Sequence, residues 1–432
     1  MPNTKGAGTG EDPAVEIVAG NGLLHRRLFL TRGAAMLGAG GLGLMTARPG
    51  GAEPLEIPPW MRSPGTHMSA YGQPSEHESD VQRVVGGTPN VVGSGVSFTP
   101  HHRLHGTITP NSLHFERHHS GVPSIDPQRH RLLIHGAVRR ALTFTTEALL
   151  RYPTVTRIQF LECSGNSGQN LGPEPPQAPC GVIHGLMSCS EWTGVPLAIL
   201  MEEAGVDPGA TWVLAEGADA AAMSRSVPLE KIMDDAIVAL YQNGERLRPE
   251  NGYPMRLFLP GWEGNMSVKW LRRLQVTDAP TMTRDETSHY TDVLLGGKAL
   301  ILTFPMEVKS VITSPSTGLS LGAAGLYEIT GLAWSGLGRI RRVEVSADGG
   351  RTWADAALTE PVLDKSFTRF RMAWRWDGGP AVLMSRAVDE TGAVQPTRAS
   401  IVAEHGERMN YHNNAIQAWS IADSGEVSNV YA

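Results

Sequence analysis

Gln159-Phe160-Leu161-Glu162-Cys163-Ser164-Gly165-Asn166-Ser167-Gly168 is a short apolar run that ends in a cysteine and breaks at once into a small polar turn. The run predicts a strand, and the two glycines let backbone approach whatever the thiol holds. A thiolate so placed is a soft metal ligand or a nucleophile. It is equally at home as a buried structural cysteine, because a free thiol packs as a small hydrophobe. The rest of the chain has to separate these readings.

Working outward, residues 53 to 110 are rich in Pro, Gly and Ser with scattered His, and predict an extended arm over the surface. Residues 111 to 303 mix the two periods. Strands are expected at Arg131–His135, Thr156–Cys163, Thr211–Ala215, Ile237–Tyr241 and Arg256–Leu259, and helices at Pro196–Ala204 and Leu229–Asp234. They do not alternate regularly, so the class is α+β rather than a doubly wound sheet. From 304 to 405 short strands follow one another: Val308–Ile312, Gly325–Trp334, Arg339–Ala347, Phe367–Trp376 and Ala381–Asp389. Val343, Val345 and Ala347 alternate with Glu344 and Ser346 before Asp348-Gly349-Gly350 turns the chain, the pattern of an Ig-like β-sandwich. Residues 406 to 432, polar and Asn-rich, read as a tail, either frayed or an arm against a partner.

With 432 residues, 41% hydrophobic and 19% charged, the chain can bury sizeable cores. A net charge of −6 argues against a general nucleic-acid binder. Residues 1–52 read as an address. Arg26-Arg27 precedes the Gly/Ala-rich run Gly33 to Met45, with small residues at Ala47 and Ala52, and this resembles a twin-arginine signal. The expected location is the periplasm, with no membrane anchor after cleavage, because the run is too short to span a bilayer. Gly38-Ala39-Gly40-Gly41-Leu42-Gly43 matches G-x-G-x-x-G but lacks a preceding strand, so it is not a dinucleotide site. Cys180 and Cys189 are either a disulfide or two separate buried thiols. They have no C-x-x-C partner, and the pairs His101-His102 and His118-His119 lack zinc-site spacing.

Four stretches in order carry a family resemblance: Phe115-Glu116-Arg117-His118-His119 with Pro123, the Cys163 turn, Asn251-Gly252-Tyr253-Pro254-Met255-Arg256, and Val268-Lys269-Trp270-Leu271. Together they resemble the sulfite oxidase family of molybdenum-cofactor enzymes, and the likeness covers about residues 110 to 405. Thr287-Ser288-His289-Tyr290-Thr291-Asp292 and Arg369-Phe370-Arg371-Met372-Ala373-Trp374-Arg375-Trp376 draw it towards the sulfane dehydrogenase branch. The resemblance implies a mixed α/β molybdopterin domain followed by an Ig-like dimerisation domain, with one molybdenum-molybdopterin per chain. It implies Cys163 as the metal ligand. Arg117, His118, His119, Asp219, Asn251, Arg256, Ser267, Val268 and Lys269 would lie against the cofactor. Tyr290, Arg117 and, by a looser match, Arg369 would face substrate.

Members acting on free sulfite carry basic residues just after the ligand cysteine's turn, where this chain has Ser167 and Gly168. Asn251 likewise stands where they have a histidine. A bulkier, carrier-bound sulfane sulfur is therefore the expected substrate, with water as oxygen source. No C-x-x-C-H occurs, so no covalent haem is expected in this chain. A c-type cytochrome subunit is the expected electron acceptor, a sulfur-carrier protein the substrate partner, and a heterotetramer the assembly. The alternatives are a free-sulfite dehydrogenase with the same centre and a non-catalytic Ig-like carrier or adhesion protein.

Overall fold

Val155–Glu162 is the strand that delivers the cysteine turn, and Met187–Pro196 pairs with it antiparallel along its whole length, from Val155 opposite Gly194 to Glu162 opposite Met187. Ile237–Gln242 joins the far side of Met187–Pro196 and carries Glu245–Arg246 and Arg256–Phe258 on its own edge. The computed structural model describes residues 16–26, 57–406 and 409–431.

A second sheet runs in the order Ser224–Pro228, Trp212–Gly217, Leu271–Thr277, Arg131–Gly136, Leu142–Thr145. It is mixed, because Leu271–Thr277 and Arg131–Gly136 pair in parallel. Helix Leu197–Ala204 buries Leu197, Leu200, Met201 and Ala204, the stripe expected of a helix lying on a sheet, and ends at Gly205 with φ 71°. The two sheets and this helix share one apolar core with Leu132, Val213, Val238, Leu257 and Leu274.

The β-sandwich follows. One sheet centres on Gly325–Trp334, flanked by Lys309–Ser314 and Thr368–Trp376; the other holds Ile340–Ser346 and Ala381–Asp389. Two expectations are corrected here. The C-terminal stretch is neither frayed nor a detached tail: Ala418–Ile421 pairs with Ala381–Asp389, and Val427–Val430 pairs with Ala418–Ile421, so the sandwich runs past residue 405. Trp419, wholly buried, explains the pairing, since an indole of that size contributes strongly when covered. At the other end, Ile17–Ala19 and Leu23–Leu24 form a hairpin on the sandwich, within the stretch read only as an address. The Gly33–Met45 run and the small residues Ala47 and Ala52 lie outside the described residues.

Between these parts the 53–110 arm contributes Val84–Gly87 and Gly95–Phe98, which pair with Glu116–His118 in a three-stranded sheet. The sandwich core is continuous with the first domain, because Phe160, Cys180, Ile183, Met187 and Cys189 pack within it. Cys180 and Cys189 are free thiols, not a disulfide. Burial pushes them up to about 12 and about 11, so neither is a reactive thiolate. Among the described residues no helix is long and apolar enough to cross a membrane.

Candidate active site

The turn after Val155–Glu162 sets Cys163 at the floor of a pocket with atom-free space of about 550 Å³, counted to its open mouth. The Cys163 N–H donates to Leu186 O at 2.9 Å, and Asn166 N–H donates back to Cys163 O at 2.8 Å, so the turn is held from both sides. Gly264 has to be glycine here: a Cβ would lie 2.8 Å from Glu162 O, and that contact lets the Gly264–Met266 turn close over the thiol. Burial pushes the Cys163 thiol up; a bound metal cation would reverse that and take it as thiolate.

Arg256 and Lys269 form another wall of the pocket, and their partners are unusual for buried cations. Arg256, 2% exposed, donates to Ser267 O at 2.6 Å and Asn251 O at 3.2 Å and lies over the Trp192 ring. Lys269 Nζ donates to Arg117 O and Glu250 O, both at 3.1 Å, and to His118 Nδ1 at 2.8 Å. Among the described residues neither has a carboxylate within ion-pair distance. Burial lowers Arg256 to about 9, and burial with the Arg256 charge lowers Lys269 to about 7. Two desolvated cations without counter-charge are costly unless an anion joins them. A pterin phosphate supplies that anion. Asn251 Nδ2 is likewise buried without a partner, a donor left for a ligand acceptor. The residues present therefore fit molybdopterin.

His118 lies behind this wall rather than on it. An ammonium only donates, so His118 Nδ1 accepts from Lys269 and its Nε2–H is left to donate to Glu116 Oε2 at 2.7 Å. His119 does face the pocket, where its Nε2 shares a 2.9 Å hydrogen bond with Tyr290 OH. Burial and the Arg117 charge lower His119 to about 4, so the ring is neutral at pH 7. Burial, then the charge at Cys163, pushes Tyr290 far above the ordinary phenol value, so its proton stays on.

Cys163, Arg117, His119, Asn251, Arg256, Ser267, Val268, Lys269 and Tyr290 all line the one pocket. Asp219 stands at its edge, where its Oδ1 accepts from the N–H of Met223, a lining residue. Arg369 does not belong to the site. Its side chain donates to Gly106 O at 2.9 Å and Leu104 O at 3.1 Å, pinning the arm to the sandwich. Ser167, expected to leave room beside the thiol, turns away: its Oγ meets His184 Nδ1 at 2.6 Å and Lys309 Nζ at 2.7 Å. A Cβ on Gly168 would lie 3.2 Å from Asn410 O, so the C-terminal segment takes that space.

That segment holds the residues missed from sequence. His412 N–H donates to Ser164 O at 2.8 Å, and the Tyr411 ring lies 5.5 Å from that of Tyr290. His412 Nε2 is 3.5 Å from Glu263 Oε2, whose other oxygen accepts from Arg225 at 3.1 Å; Arg225 in turn covers the Tyr290 ring at 4.9 Å. Burial alone would lower His412, but its bonds to Glu263 and Glu307 win and raise it to about 10.

Residues 119–284 match the oxidoreductase molybdopterin binding domain, and residues 301–418 match the Mo-co oxidoreductase dimerisation domain. The chain is 30% identical to sulfite oxidase of Gallus gallus, over 67% of this chain and 68% of that protein. It is 32% identical to NADH nitrate reductase of Solanum lycopersicum, over 68% of this chain but 37% of that longer protein. The crystal structure of the sulfane dehydrogenase SoxCD from Paracoccus pantotrophus superposes with a TM-score of 0.84 at 47% identity, covering 87% of this chain and 98% of that one. The chain belongs to the sulfite oxidase family and is a molybdenum-dependent oxidoreductase. That membership sets aside the non-catalytic carrier.

Proposed function

We propose that this chain is the molybdenum subunit of a periplasmic sulfane dehydrogenase, acting on sulfane sulfur held by a carrier protein. The observation that carries the reading is the likeness to the sulfane dehydrogenase SoxCD, at 47% identity along nearly that whole chain. When bound, the cofactor supplies a two-electron couple and oxygen transfer to sulfur. Each oxygen added comes from water, with release of two protons and two electrons, and the electrons leave to a c-type cytochrome subunit. Arg256 and Lys269 hold the cofactor's anionic end, Cys163 provides the protein ligand, and Asn251 offers a hydrogen-bond donor.

Arg117 gives the pocket a cation that draws an anionic sulfur group to the metal side. Tyr290 keeps its proton and shares a hydrogen bond with neutral His119, so the phenol O–H is held in place to turn to a developing oxyanion. The dimerisation domain supports two copies in the assembly, and with the cytochrome a heterotetramer.

Export as a folded protein by the twin-arginine route fits a cofactor enclosed by a wall that forms only on folding. The chicken sulfite oxidase likeness favours a second reading, a free-sulfite dehydrogenase with the same centre. The test is cytochrome c reduction by the purified complex. A persulfidated carrier protein should drive it at least tenfold faster than free sulfite at equal concentration. Equal rates would overturn the sulfane reading and leave the sulfite one.

A further inference from the structure

Residues 16–26 lie far from the metal pocket in sequence and serve no part of it, yet they are fitted into the β-sandwich residue by residue. Leu23 stands opposite Trp374 as an added antiparallel strand, and Leu23 and Leu24 are 0% and 1% exposed. Between the two short strands the Gly20-Asn21-Gly22 turn is locked on every side. Gly20 N–H donates to Thr352 Oγ1 at 2.7 Å, Asn21 Nδ2 donates to Ala347 O at 2.8 Å, and Asn21 O accepts from Trp374 Nε1 at 2.6 Å.

No side chain fits at either glycine. A Cβ on Gly20 would lie 2.2 Å from Asp348 Oδ2, and one on Gly22, at φ +82°, would lie 2.1 Å from Arg375 O. The dock closes on an ion pair, Arg26 Nη1 to Asp355 Oδ2 at 3.5 Å. A segment resting loosely on a surface would not need two glycines, a buried leucine pair and the indole N–H of a buried tryptophan.

We infer that this edge of the β-sandwich is a peptide-accepting groove whose ligand is a hairpin turning at Gly-Asn-Gly-Leu-Leu and followed by a cation. In the full chain that ligand is residues 16–26, bound in cis. Recognition is by strand addition, with Trp374 as the indole donor, Thr352 and Ala347 reading the turn, and Asp355 reading the Arg26 cation. The groove stands whatever the metal site oxidises. Arg26 is also the first of the arginine pair read as an export address.

Cis occupancy has a measurable consequence, because a tethered segment competes at high effective concentration. The test uses the full-length, unprocessed chain and a fluorescent peptide of residues 16–26, read by anisotropy. Wild type should bind the peptide at least tenfold more weakly than Gly22→Val, whose own segment cannot seat while its groove is intact. Trp374→Phe added to Gly22→Val should weaken peptide binding several-fold, and a peptide carrying Gly22→Val should not bind. Equal binding by wild type and Gly22→Val, or none by a Gly22→Val chain with a wild-type near-UV spectrum, overturns the inference. Asn21→Ala, a milder change, replaces Gly22→Val if that chain does not fold, with peptide binding intermediate between wild type and an open groove. In wild type itself, hydrogen exchange at the Gly20 amide should be slow; exchange at the unprotected rate also overturns it.

Discussion

Lys269 and Arg256 show how a single residue pair can be suited to an anion: both are buried, and both lean on carbonyl oxygens. Burial, then the Arg256 charge, lowers Lys269 from 10.5 to about 7. Between those values the unfolded chain binds more protons than the folded one, so this group adds stability as pH rises from 7 towards 10. His412 runs the opposite way: raised from 6.5 to about 10, its contribution is whole below 6.5 and lost as pH rises through 10. Comparing wild type with Lys269→Met separates the two. The cofactor-free methionine variant should be more stable by a few kcal/mol at pH 7, and the gap should close by pH 10 in denaturant unfolding; a constant gap would contradict the assignment. Cys163→Ser should leave the fold intact by circular dichroism, yet lower turnover at least a hundredfold and strip molybdenum as measured by elemental analysis. Cys163 was legible because a thiol stands at the end of an apolar run before a glycine turn. Arg256 and Lys269 were reached through the family resemblance, since alone either reads as a surface strand residue or a snorkelling cation. Tyr411 and His412 were not legible. Only tertiary folding brings them to Ser164, and locally they sit in a polar stretch that reads like any tail. Arg369 misled for the converse reason: a strand position says nothing about which carbonyls its long side chain will reach.

At the scale of elements, the Gly264–Met266 turn and the cysteine turn are pressed together where only a glycine fits. Gly264→Ala should cost roughly 1–3 kcal/mol by overpacking and lower molybdenum content in parallel; unchanged content would show that the turn is not needed to close the site. Element positions followed well from pattern. Leu229–Asp234, Gly325–Trp334 and Ala381–Asp389 begin and end where period and punctuation place them. Met187–Pro196 was missed, because Ser188, Cys189, Ser190 and Thr193 dilute its apolar signal although most of the strand is buried. Its partner strand, not its own composition, makes it a strand.

Across the whole molecule, Glu162 ties the two domains at the root of the metal turn. It is 1% exposed and accepts from Trp334 Nε1 at 2.6 Å and Lys309 Nζ at 3.3 Å, both on the sandwich, and from Asn166 Nδ2 at 2.8 Å. Lys309→Met should destabilise by about 3–5 kcal/mol, since it leaves a buried carboxylate without its cation. Calorimetry of the wild type should show one transition, because the core is shared across the seam; two separated transitions would refute this. The return of the C-terminal segment to Ser164 has a temporal consequence. During synthesis the cysteine turn emerges long before His412, so Ser164 O lacks its partner amide until the chain has been translated through residue 412. The cysteine turn thereby reaches its final hydrogen bonding only late in translation.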